Sequence, residues 1–239
     1  VRDPRLTDAF FQVNLLDGFG FLDVRGALIQ HFRDEFQGLG EMVTGNAFPP
    51  LLFGEPIDPE HPIIEMRIGV EQIWIHLRGG ATTVSIRQEC ARVVEGVCSL
   101  MNVTRFSRQG LRTQHVFETD AVDAALDAVR RTGVVTDRGW DELGAIQHAG
   151  AQLTLRSGRI KAVVRLAPAR SVGDETADDV SQPRSSILPP IGVMLDIDAF
   201  DDARSDTRDP RPHLNRAVKY IEERAIPFVT RLLEERREP

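Results

Sequence analysis

The sequence predicts an α+β fold: a largely antiparallel sheet, or sheets, built from hairpins and packed on helices, the last of them long. Three observations carry this. IIEMRIGVEQIWIHLRGG (Ile63–Gly80) and AIQHAGAQLTLRSGRIKAVVRL (Ala145–Leu166) alternate apolar and polar residues on both sides of a short turn, the pattern of a hairpin. Other segments repeat apolar residues every three to four positions, the period of a helix with one buried face. Hairpins dominate the order of elements, which favours antiparallel pairing.

In chain order, Phe10–Leu16 (FFQVNLL) reads as a first strand. Val24, Leu28, Phe32 and Phe36 then set a helix over about Leu22–Phe36, ended by Gly38 and Gly40. Gly45–Pro62 reads as a loop, because Pro49, Pro50, Pro56, Pro59 and Pro62 oppose regular structure. The Ile63–Gly80 hairpin follows. A second helix covers Thr83–Met101, with Ile86, Cys90, Val93, Val94, Val97 and Met101 as its buried stripe. A strand at Phe106–Glu118 and a short helix at Ala121–Arg131 come next. In the second hairpin, Ser157-Gly158 is the turn. Pro168–Pro190, polar and acidic, reads as a loop. Gly192–Asp202 is the last strand. The closing helix carries Leu214, Val218, Ile221, Phe228 and Leu232 on one side, and Pro227 inside that pattern should kink or split it. The chain reads as one domain, with a degenerate duplication of two halves, 1–118 and 119–239, suggested by the recurrence of a hairpin and a terminal strand or helix in each.

The 239 residues suffice for one large domain. A net charge of −7 and a pI near 5.4 disfavour nucleic acid and anionic membranes, which usually meet a basic surface. No apolar run approaches the ~20 residues of a membrane-spanning helix, and the first residues show no signal-peptide core. Cys90 and Cys98, on one helix, would have Cα atoms ~12 Å apart, too far for a disulfide. They read as reduced core thiols, and the expected location is the cytoplasm.

The sharpest chemical signal is GVMLDIDAFDD (Gly192–Asp202). On a strand, Asp196 and Asp198 share a face, and paired carboxylates can hold Mg²⁺ for phosphoryl transfer when a third acid joins them. LDIDAF resembles the first metal-binding strand of diguanylate cyclases and the N-terminal strand of lesion-bypass DNA polymerases. Neither resemblance extends: no GG-[DE]-EF hairpin follows, and the pair lies near the end of the chain. The favoured reading is a strand with an apolar back (Val193, Leu195, Ile197) and a solvated acidic front.

Other candidates are weaker. Six histidines show no metal-ligand spacing, and there is no nucleophile elbow or zinc-protease motif. Arg105, Arg108 and Arg112 in RFSRQGLRTQH form the most basic strand-like segment and could take an anion or a partner carboxylate; pairing with the abundant acids is the favoured alternative. FPPLLF supplies Phe48, Leu51, Leu52 and Phe53, unusually apolar for a loop and a candidate interaction site together with Phe19–Phe21.

GLRTQHVFETD (Gly110–Asp120), then VMLDIDAFDD, then a last helix with Leu214, Ile221 and Phe228, resembles a sporadically distributed family of uncharacterised bacterial proteins of similar length. Its members carry an L-x-x-R-[YF] strand and a DIDV[FY] strand before the last helix. Leu111-Arg112 matches the first in part, with Thr113 and Gln114 where the family has an aromatic and its neighbour. The resemblance implies no activity, cofactor or catalytic residue, and it favours DIDAF as a recurring structural strand.

With no catalytic constellation assembled, the sequence favours a non-catalytic protein-interaction or self-assembling module without a cofactor. Its expected partner is a protein or a second copy of itself. Two alternatives stand beside it: an Mg²⁺-dependent phosphoryl-transfer enzyme using Asp196 and Asp198, and a small-ligand pocket between a curved sheet and the C-terminal helix.

Overall fold

A computed structural model describes residues 3–41, 48–133, 149–169, 191–204 and 208–234. Nine strands form one antiparallel sheet: β1 (Arg5–Leu15), β2 (Phe36–Glu41), β3 (Leu51–Pro56), β4 (Ile63–Ile68), β5 (Gln72–Arg78), β6 (Phe106–Glu118), β7 (Ala151–Ser157), β8 (Ile160–Pro168) and β9 (Gly192–Asp201). Their order across the sheet is β2-β3-β4-β5-β1-β6-β9-β8-β7. The helices are α1 (Phe21–Phe32), α2 (Thr83–Met101), α3 (Val122–Arg131), α4 (Arg211–Tyr220) and α5 (Ile226–Glu234), α4 and α5 being joined by a π-helical turn, Ile221–Ala225.

The strand order mirrors itself about the β1–β6 pair. Outward from β1 come β5, β4 and β3; outward from β6 come β9, β8 and β7. The repeated order of connections therefore starts at Phe106, within the first of the two halves drawn from the sequence at residue 118.

Strand alternation gives the sheet two unlike faces. Phe53, Met66, Ile75, Phe11, Leu111 and Ala199 occupy aligned positions on neighbouring strands, all buried. The helices pack on this side. Phe32 of α1 meets Phe53 edge-on at 5.5 Å between ring centres, and Leu214, Val218, Val229 and Leu233 of α4 and α5 join the same core. The other face, carrying Phe10, Trp74, Arg112 and Asp198, has no helix over it among the described residues.

Several elements match expectation closely. Thr82 caps α2, accepting a bond from the Ser85 amide at 3.1 Å. Asn102 takes the left-handed conformation that ends it. Both cysteines are buried free thiols; burial pushes the Cys98 thiol up to about 12 and raises Cys90 as well. Pro227 is the second residue after the π turn. Proline lacks the N–H that would bond back into the preceding turn, and the wider turn is how the helix passes it.

Other expectations need correction. α1 ends at Phe32, and Phe36, read as helical, starts β2, where its ring meets Phe53 and His61. The Gly45–Pro62 loop contains strand β3. Its prolines frame a six-residue strand: Pro49 and Pro50 precede it, Pro56 ends its ladder against Phe36, and Pro59 and Pro62 follow. Leu51 and Phe53 are consequently core side chains. The second hairpin turns one residue later, at Gly158-Arg159, with Gly158 at φ +62°. Beyond Ala169, the Pro168–Pro190 segment lies outside the described residues.

Candidate functional site

On the open face the acidic front of β9 is only partly solvated, and Asp196 is buried. Asp196 lies opposite Gln114 of β6 and Arg165 of β8. Arg112, two positions from Gln114 on the same face of β6, turns its guanidinium fork onto it: Nε donates to Oδ1 at 2.8 Å and Nη2 to Oδ2 at 2.9 Å. Arg165 Nη1 adds a third bond to Oδ2 at 3.0 Å. The Asp196 side chain retains 3% exposure, while both arginines keep their outer faces in solvent. Such charge-assisted, bidentate pairing is the strong form of a hydrogen bond, and Asp196 in turn holds Arg112 above its ordinary pKa.

Asp198 is differently placed. Its contact is Arg108 at 3.5 Å. Burial raises its pKa, the Asp196 charge adds to this, and Arg108 and Arg112 oppose it. Arg108 also lies over the Phe200 ring at 4.4 Å, Arg112 over Phe10 at 5.8 Å, and Arg67 over Trp74 at 4.3 Å. Phe10 stacks on His76. Between these groups Gly110 leaves a hollow of ≈ 300 Å³, walled by Phe10, Trp74, Arg108 and Asp198. A Cβ there would stand 3.3 Å from Phe200 and 3.6 Å from the Asp198 carboxylate.

This arrangement weighs against a carboxylate metal pair. Both oxygens of Asp196 are engaged by guanidinium groups. Among the described residues no cluster of three or more His, Cys, Asp or Glu side chains could hold a metal ion. The basic triplet also comes apart. Arg108 and Arg112 share the open face and are paired, while Arg105 precedes the strand and faces Asp17 at 3.6 Å. The apolar loop divides as well. Leu51 and Phe53 are buried, Leu52 is half-buried on the open face, and Phe48 is exposed, lining with exposed Phe19 a hollow of ≈ 290 Å³.

The larger apolar feature lies on the helix side, at the end of the sheet. β7 is an edge strand, unpaired on its outer side among the described residues. Its Leu153 and Leu155 are 45% and 42% exposed, and Phe228 of α5 is 50% exposed. They line a groove of ≈ 630 Å³ between β7–β8 and the last helix, floored by Val164 and Leu166. The alternation QLTLRS shows that Leu153 and Leu155 share a face. It does not show that the strand ends the sheet, so this groove was not read from the sequence.

Compared with protein-family models, curated proteins and solved structures, the chain matches none. Among the described residues no helix is long and apolar enough to cross a membrane.

Proposed function

We propose that the chain is a self-assembling interaction module and that β7 is its docking strand, pairing with β7 of a second copy. The supporting observation is the half-exposed Leu153–Leu155 pair on a strand edge that is unpaired among the described residues, continuous with the apolar groove under Phe228. An edge with free N–H and C=O groups and apolar side chains is a template for strand addition.

Self-pairing is the occupant its sequence suits. An antiparallel pair centred on Thr154 sets Leu153 against Leu155 twice and Gln152 against Arg156 twice, so no like charges oppose each other. The opposite edge, β2, suits the role less, because Gly38 and Gly40 leave it few side chains to pack.

Sedimentation velocity over a range of concentrations tests this. Wild-type chain should run as a dimer at micromolar concentration. Leu155→Glu, on a surface position, should fold equally well and run as a monomer. A wild-type monomer throughout, or a dimer unaffected by Leu155→Glu, would overturn the proposal.

A further inference from the structure

A second cavity lies on the helix side of the central strands, away from the β7 groove, with a volume of ≈ 320 Å³. Its floor is β6, its walls the start of α2 and the junction of α4 with the π turn, with Leu111, Ile86, Val218 and Ile221 among the lining residues. Two side chains on the floor are polar, Thr113 and His115, only 3% and 7% exposed. Neither Thr113 Oγ1 nor His115 Nε2 has a hydrogen-bond partner among the described residues.

Their neighbours across the sheet are apolar. Thr113 is flanked across the sheet by Ala9 and Ile197, and His115 by Leu6 and Leu195. A buried polar atom left without a partner is costly, about 1–3 kcal/mol each. Two of them, two residues apart on one strand and hence ~7 Å apart on one face, both belong to one cavity. The cavity is where a partner for both can enter.

We infer that this cavity binds a small neutral molecule with an apolar body and a hydroxyl or carboxamide group, which bonds to Thr113 Oγ1 and His115 Nε2. The walls set the apolar body. The charge follows from the lining, which among the described residues holds no Lys or Arg and has Glu222 at its mouth, a surrounding that disfavours an anion. Burial keeps His115 neutral at ordinary pH, with its pKa near 4, so the ring offers a neutral hydrogen-bonding nitrogen to the ligand. At about 30 Å³ per water in the liquid, the space corresponds to on the order of ten waters, room enough for a monocyclic alcohol or amide. The π turn that walls it is a form of helix often found at functional sites.

Benzyl alcohol is a suitable probe, with toluene and sodium benzoate as controls for the hydroxyl and for charge. Nitrogen-detected histidine spectra of the full chain report His115 directly. Benzyl alcohol should shift the His115 signals saturably, with toluene and benzoate at least tenfold weaker. Thr113→Val, which keeps shape and removes the hydroxyl, should weaken benzyl alcohol by about tenfold. Ala81→Leu, which fills the cavity from its edge, should abolish binding while the other histidine signals stay in place, and it serves if Thr113→Val does not fold. No saturable shift, or equal binding of toluene, or binding that survives Ala81→Leu, would overturn the inference.

Discussion

The two wings of the sheet repeat one order of strands and are sealed by different physics. In the first wing, β3 occupies the place that β7 holds in the second. Phe53 of β3 is buried under α1, with the rings of Phe32 and Phe36 around it. The equivalent face of β7 shows Leu153 and Leu155 to solvent beneath the half-exposed Phe228. On the open face the first wing is tiled by Phe10, Trp74 and His76, with Arg67 over Trp74. The second is tied by Asp196 between Arg112 of β6 and Arg165 of β8. The order of connections fixes where each strand lies. What closes a wing depends on the side chains and on which helix reaches it.

The strongest way to break this comparison is to truncate equivalent side chains. Phe53→Ala should cost about 3–5 kcal/mol, the range for a buried phenylalanine, read from urea denaturation. Leu155→Ala should cost less than about 1 kcal/mol in the monomer, because it gives up a contact already half in water. Equal losses in the monomer would mean that the β7 groove is closed within one chain and that the wings do not differ.

Next in size is the response to pH. His115 and His213, both in elements of the second wing, are held neutral by burial, each with its pKa lowered from 6.5 to about 4. For His213, Arg216 adds to the burial, and the Asp201 charge opposes it. A depressed histidine pKa means that the unfolded chain takes up the proton first. The stabilisation is therefore complete above pH 6.5 and is lost as pH falls toward 4, on the order of 3 kcal/mol per histidine at most. His213→Leu should flatten the fall of the melting temperature across that window. An unchanged slope would show that His213 takes up a proton in the fold as readily as in the unfolded chain.

Much of this was legible in the sequence, for identifiable reasons. α2 and β6 match their expected bounds because a long apolar period and a clean cap set local structure without help from the rest of the chain. β3 was missed because five prolines were read as breakers, although they lie at the ends of LLFGEP and outside it. Phe36 was read onto α1 because its spacing from Phe32 fits a helix, while ring packing with Phe53 and His61 places it on a strand. The shared face of Asp196 and Asp198 follows from period two alone. Their company does not: Arg165 reaches Asp196 through strand register, and no local pattern fixes the register of β8 against β9. The same holds for Thr113 and His115, whose side of β6 was predictable and whose cavity depends on α2 and the π turn.

The smallest effect tests the two aspartates against each other. Asp196→Ala removes three charge-assisted bonds, yet leaves Arg112 and Arg165 able to hydrate, since each is more than 40% exposed. The loss should be about 2 kcal/mol, below the penalty for breaking a fully buried pair. Asp198→Asn should go the other way. Its carboxyl pKa is raised in the folded chain, so ionisation is less favourable there than in the unfolded chain. Stability from this group is fully present below the unfolded carboxylate pKa and is lost as pH rises through the folded value. Replacement by a neutral amide should therefore raise the melting temperature slightly at pH 7 and change nothing at pH 3. A drop at pH 7 would place Asp198 beside Asp196 as a carboxylate that the arginines stabilise, and the ion cluster would then extend from one aspartate to both.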